Sequence, residues 1–151
     1  MPEPPMSLNR EIANELKNHI LKTMENGIQI RSILSEHSNK GPWTVDWEVK
    51  AAVEALSIFG SRWITEILAT LYIAGPRRFN QLKNLLTGIS SRTLSDKLQL
   101  LCDERLVVRN VSDGPPIKVE YALSEHGKQC GTLLSPLVAH MKFYHGSLSQ
   151  S

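Results

Sequence analysis

The chain has 151 residues, a net charge of +2, 41% hydrophobic and 21% charged residues, the size and balance of one globular domain with a real core. Membrane spans are excluded, because no apolar run approaches the roughly 20 residues that crossing requires. The best run, ITEILATLYIAG, is short and is broken by Glu66. The start, MPEPPMSLNR, has neither a basic n-region nor an apolar h-region, so a cytoplasmic protein without membrane contact is expected. Cys102 and Cys130 show neither metal spacing nor a disulfide framework, and His140 and His145 miss the i, i+4 spacing that places two imidazoles on one helix face. No cofactor or metal is expected.

In chain order, residues 1–6 are rich in proline and are expected to be disordered. Residues 7–40 read as a helical extension, with Ser7 as the expected N-cap and Glu11 in the first turn. Leu8, Ile12, Leu16, Ile20, Met24 and Ile28 recur every four residues, and Leu21, Ile30, Ile33 and Leu34 widen the stripe. The pattern predicts a helix to about Ser38, with a bend or break near Gly27 and a length of roughly 45 Å. That exceeds what a small domain needs for its own core, so a second chain is the expected partner.

A domain over residues 41–146 follows, opened by the turn-rich NKGPWTVD. Thr44 or Asp46 is expected to cap a helix that buries Val49, Val53, Leu56 and Phe59 and stops at Gly60. A second helix, in SRWITEILATLYIAG, turns Trp63, Ile64, Ile67, Leu68 and Leu71 inward, and Gly75-Pro76 ends it. A short third, RFNQLKNLL, offers Phe79, Leu82, Leu85 and Leu86, and Thr87-Gly88 turns the chain into GISSRTLSDKLQLLCDERL. The period then changes: LVVRNVS and IKVEYALS, separated by DGPP, predict an antiparallel hairpin with its tip at about 113–116. Ser124 is the expected cap of a last helix with Leu133, Leu134, Leu137, Val138, Met141 and Tyr144 on its apolar stripe and a kink at Pro136. Residues 147–151 read as a frayed tail. Trp43, Trp47 and Trp63 are expected in a core or an interface.

The fold class is therefore mainly α with a small antiparallel β-hairpin (α+β). Two short helices, a tight turn and a hairpin follow the order of a winged helix-turn-helix, whose second helix enters the DNA major groove while the wing reaches a neighbouring backbone or minor groove. Charge agrees with this. Between Pro76 and Lys118 stand eight basic and four acidic residues, a local excess of +4 that leaves −2 for the rest, as suits a polyanion-binding face. The helix over 90–104 is oddly rich in hydroxyls for a merely solvated surface, because serine and threonine are weak helix formers. Short donors and acceptors let a backbone approach phosphates and base edges. Ser90 is expected as N-cap, Ser91 and Ser95 as phosphate or base contacts, and Thr93 as part of the same surface. Arg92 is expected on a guanine edge or a phosphate, Gln99 on adenine, and Lys97 on phosphate. Arg77, Arg78 and Asn80, at the start of the preceding helix, are expected to position the backbone of the duplex. Arg109 and Lys118 flank the wing tip. The DNA-facing set over 77–118 is completed by these two.

The segments GSRWITEIL, GPRRFNQLKNLLTGISSRTLSDKLQLL, ERLVVR and PPIKVEYALSEHGK resemble, in unbroken order over about 90 positions, the HxlR-type winged-helix transcription regulators, relatives of the MarR group. The resemblance implies a homodimeric, sequence-specific binder of double-stranded DNA, with an inverted-repeat operator and dimers built from the N- and C-terminal helices. Leu8, Ile12, Leu16, Ile20, Met24, Leu134, Leu137 and Met141 are the expected dimer contacts. The chain departs from the family's Gly-Lys-Trp by reading Gly60, Ser61, Arg62, Trp63. The segment GPWTVDWEV lacks the cysteine that thiol-sensing members carry before the first winged-helix helix. The N-terminal extension is longer than is usual in the family. A small-molecule effector would be expected between the dimer helices and the winged-helix body, although no polar constellation marks a pocket. Neither a nucleophile–base pair nor a glycine-rich phosphate loop is present, so no enzyme is expected. The competing class is a winged-helix protein–protein adaptor without specific DNA binding.

Overall fold

The computed structural model describes residues 4–151. In chain order it contains β1 (Met6–Leu8), α1 (Arg10–Lys40), α2 (Val45–Leu56), a 3₁₀ turn (Ser57–Gly60), α3 (Ile64–Ala74), α4 (Phe79–Leu85), α5 (Ser91–Asp103), β2 (Val107–Ser112), β3 (Lys118–Leu123), α6 (Glu125–His145) and β4 (Leu148–Gln150). These fall into two compact units, one made of the chain up to Ala51 with Leu133–Ser151, the other of Ala52–Thr132.

In the first unit the two chain ends meet. β1 and β4 pair in parallel with Met6 opposite Leu148 and Leu8 opposite Gln150, and the Ser151 amide donates to the Leu8 carbonyl at 2.8 Å. The segment 147–151 is thus a short strand and not a frayed tail; its partner lies at the far end of the sequence, where no local pattern reveals it. Of the expected disordered start, Met6 belongs to β1, while residues 1–3 lie outside the described residues. Since Ser7 is paired in β1, the cap of α1 falls to Asn9, whose Oδ1 accepts from the Ile12 amide at 2.9 Å. α1 then runs as one helix of 31 residues through Gly27. A lone glycine in an exposed helix costs about 1 kcal/mol against alanine, too little to break so long an element. Ala13 and Ile20 are buried, and the Lys17 ammonium sits 5.2 Å from the Phe143 ring centre. Most of the stripe is open: Ile12, Leu21, Met24, Ile28, Ile30, Ile33 and Leu34 are 45–65% exposed, while Leu8 and Leu16 are half-buried.

Thr44 caps α2, its Oγ1 accepting from the Trp47 amide at 3.1 Å. Arg31 of α1 pairs with Glu48 of α2, and hydrogen bonds from Ser38 and Arg31 hold the Glu48 carboxyl below its ordinary range. Trp43 and Trp47 form a tilted pair with centroids 6.3 Å apart but stay largely exposed. The stripe on α2 has the expected helical spacing without the expected burial: Val49, Val53 and Leu56 are exposed and only Phe59 is half-buried. Periodicity shows which residues share a face, not whether that face is covered.

The second unit holds the main core. Ile64, Ile67 and Leu71 of α3, Leu82 of α4 with Leu86 after it, Leu94, Leu98 and Leu101 of α5, and Leu106, Val107 and Leu123 at the base of the hairpin form one buried cluster. Each fully buried aliphatic side chain contributes on the order of 1.5–3 kcal/mol. Leu85, expected inward, is exposed although it lies three residues on from the buried Leu82, on nearly the same side of α4. β2 and β3 pair antiparallel with Val107 opposite Leu123 and Ser112 opposite Lys118. Ser124 caps α6 as expected: its Oγ accepts from the Gly127 amide at 2.9 Å and donates to the Arg105 carbonyl at 2.6 Å. Pro136 lies inside α6 without ending it. Beyond it Leu137, Val138, Met141 and Tyr144 are exposed, and Leu133 is too.

Candidate nucleic-acid interface

The helix-turn-helix is built by a short segment. After α4, Leu86 plunges into the core, Gly88 takes a positive φ of 92° and Ile89 returns to the core. A left-handed turn residue favours glycine because it carries no Cβ. Ser90 then caps α5, its Oγ accepting from the Thr93 amide at 3.0 Å. Ile89 and Leu94 occupy the staple positions on either side of the cap, and both are buried. The cap, the staple and the three core leucines hold α5 by tertiary packing, which leaves its other face free of the need for good helix formers.

On that face the expected residues separate. Ser91, Arg92 and Ser95 are exposed. Arg92 forms no ion pair with Asp96 among the described residues. Thr93 is half-buried and accepts from the Ser90 hydroxyl at 2.8 Å, so it completes the cap and is not part of an open surface. Gln99 donates from Nε2 to Asp103 at 2.9 Å. Lys97 departs furthest from expectation. Its ammonium donates to Ser61 Oγ at 2.8 Å in a partly buried hydrogen bond across 36 residues. Five residues at 100° each place Lys97 about 140° round the helix from Arg92, on the flank next to the leucine stripe.

Ser61 belongs to a joint that the sequence did not mark as important. The 3₁₀ turn ends there, and Trp63, which opens α3, has a φ of 72°. A non-glycine residue in the left-handed region costs roughly 1–3 kcal/mol unless its surroundings enforce it. The Trp63 ring packs against the core, and the Arg62 guanidinium lies 5.4 Å from its centre. The departure Gly60-Ser61-Arg62-Trp63 thus forms a fixed joint whose hydroxyl meets α5.

Arg77 also surprises. Its amide donates to the Tyr121 carbonyl at 2.9 Å and its carbonyl accepts from the Tyr121 amide at 2.8 Å, an isolated antiparallel bridge at the edge of the hairpin. Its guanidinium donates to the Pro76 carbonyl at 2.7 Å. Arg78 caps α4, its amide bound by Gln81 Oε1 at 2.8 Å, and its side chain, like that of Asn80, is exposed. In the wing, Arg109 stands opposite Tyr121 and Lys118 opposite Ser112. Alternation along a strand puts them on opposite faces of the ribbon, so they do not form one basic patch. The tip carries Asp113, and the Pro115–Pro116 peptide is cis.

Among the expected dimer residues, Ile12, Met24, Leu137 and Met141 are exposed, Leu8, Leu16 and Leu134 are half-buried, and Ile20 is buried in its own unit. Ile20 therefore belongs to the internal packing of α1. Burial, reinforced by Asp103 and opposed by Arg109, pushes the Cys102 thiol above its ordinary range, contrary to what a thiolate sensor requires.

The model for HxlR-like helix-turn-helix proteins matches residues 58–148, all of α3 to α6. The chain belongs to that family. Among relatives of this HxlR-family protein, the HTH-type transcriptional regulator YdeP of Bacillus subtilis is 35% identical over 97 residues, 64% of this chain and 72% of YdeP. The fold is similar to that of a protein of Enterococcus faecalis V583 assigned to the MarR family of transcriptional regulators, with a TM-score of 0.58, 27% identity and coverage of 64% and 86% of the two chains. Diamide-treated YodB from B. subtilis gives a TM-score of 0.52 at 28% identity over 66% and 92%. The protein is a DNA-binding transcriptional regulator of the HxlR/MarR type and not an enzyme. α1 and α2 lie wholly outside the matched residues.

Proposed function

We propose that this regulator acts as a homodimer, lays α5 in the major groove of an inverted-repeat operator and rests its wing on the flanking backbone or minor groove. The observation that carries this is the first turn of α5. Ser90 occupies only the Thr93 amide, leaving the Ser91 and Arg92 amides at the positive end of a 13-residue helix beside an exposed guanidinium and two exposed hydroxyls. Unpaired amides, helix dipole and arginine all favour a phosphate or a guanine edge. Arg78 and Asn80, exposed at the start of α4, are suited to phosphates of the same duplex. Arg109 and Lys118, on opposite faces of the ribbon, would reach different strands or only one of them would touch DNA.

Dimerisation is supported by the uncovered apolar stripes on α1 and α6, which a soluble monomer would rarely expose. Two-fold symmetry would then place the recognition helices about 34 Å apart, one DNA turn. The test is selection from random duplex DNA at about 150 mM salt with wild type and Arg92→Ala. An inverted repeat that loses one base preference in the variant is expected, at a cost of about 1–3 kcal/mol. Enrichment of nothing by the wild type would refute the reading and favour a protein–protein adaptor.

A further inference from the structure

The exposed face of α5 carries one residue that a surface seeking only phosphate would exclude. Asp96 follows Arg92 by four residues, on the same side of the helix, and is exposed. Among the described residues it has no ion pair, and neither Arg92 nor Lys97 neutralises it. It also lies beyond the first turn, where a carboxylate gains little from the helix dipole. Gln99, one turn nearer the C-terminus, is by contrast held by Asp103. A free carboxylate brought against a duplex is repelled by phosphates, and the repulsion is offset only where it meets an amino group. In the major groove, cytosine N4 offers a donor alone, whereas adenine sets the N7 acceptor beside its N6 donor, an arrangement that suits an amide better than a carboxylate.

We propose that Asp96 is a specificity-determining residue that accepts a hydrogen bond from N4 of a cytosine in the operator. Four residues of helix rise about 6 Å, so the cytosine lies within about two base steps of the position read by Arg92. The proposal rests on α5 being the groove-entering helix.

It predicts an effect opposite to that of losing a basic contact. Selection from random duplex DNA would be run with wild type, Asp96→Asn and Asp96→Ala, and each protein's affinity for a non-cognate duplex measured alongside. Wild type should enrich a motif with a cytosine at one position. Asp96→Asn should shift that position towards adenine, and Asp96→Ala should flatten it from a preference of about tenfold or more to near onefold. Both variants should bind the non-cognate duplex more tightly, because one repulsive charge has gone. As the side chain is exposed, both should melt as wild type does. If both return the wild-type motif with uniformly raised affinity, Asp96 is a bystander and the proposal is overturned alone. If wild type enriches no motif, the groove reading fails and takes this proposal with it.

Discussion

Replacing Lys97 by methionine separates two roles for that residue, a contact with phosphate or a tie that positions α5. Each phosphate neutralised by a lysine steepens the fall of log affinity with log salt by about 0.9. Between 50 and 200 mM salt, one lost contact therefore narrows the affinity ratio by about threefold. The Lys97 ammonium is already held by Ser61 Oγ at 2.8 Å and is partly buried, so Lys97→Met should leave the slope unchanged. Affinity should still fall at every salt concentration, because α5 loses a bond to the joint at 60–63. A hydrogen bond to a charged group is worth about 1.5–3 kcal/mol in stability, and partial exposure brings the expected loss nearer about 1 kcal/mol. Ser61→Ala should reproduce the effect, and the double variant should cost clearly less than the sum of the two, as contacting partners do. Fluorescence anisotropy with a labelled operator across a salt series, and urea unfolding of the four proteins, would measure both quantities. A slope reduced by about one in Lys97→Met with Ser61→Ala unaffected would return Lys97 to the phosphates and refute the reasoning.

Gly127→Ala should destabilise the winged-helix unit by about 1–3 kcal/mol, since a Cβ there would collide with the Leu106 carbonyl oxygen and lie 3.3 Å from Leu123 Cβ; an unchanged urea midpoint would contradict it. Met24→Lys combined with Leu137→Lys should turn a dimer into a monomer by sedimentation, with the helical circular-dichroism signal kept, whereas an unaltered sedimentation coefficient would move the interface elsewhere. Cys102 should react with iodoacetamide more slowly in the folded protein than in denaturant. Because the folded state favours its neutral thiol, the stability it contributes is present below the unfolded value of about 8.5 and is lost as pH rises through the raised folded value. Labelling at the unfolded rate would refute this.

What could be read from the sequence is what local physics decides. The change of period from the leucines at 94, 98 and 101 to the alternation in VVRNVS and KVEYAL located α5 and the hairpin. Ser90 and Ser124 announced their helices because an N-cap acts within three residues. The errors share a cause in distance. Arg77 joins the wing through a partner 44 positions on, Lys97 finds Ser61 across 36, and β1 finds β4 across the whole chain. A lysine reads identically in sequence whether it faces a phosphate or a serine hydroxyl. Burial was overestimated on α2 for a related reason: its stripe is real, but among the described residues nothing covers Val49 and Val53.

The geometry of α5 also explains why so poor a helix former by composition is stable where it stands. Leu94, Leu98 and Leu101 fix its inner side, Lys97 ties one flank to Ser61, and Ile89 with Ser90 sets its entry. With position decided on those sides, Ser91, Arg92, Ser95 and Asp96 are relieved of any structural duty. An Arg92–Asp96 pair at i, i+4 would add only about 0.2–0.5 kcal/mol to an exposed helix, less than the discrimination of about 1–3 kcal/mol that a good contact with a base edge carries. The unmade pair leaves one cation and one anion presented a turn apart, a pattern that complements an acceptor followed by a donor along a groove. Alanine or glutamate in place of those hydroxyls would serve solubility equally well with better helix propensity.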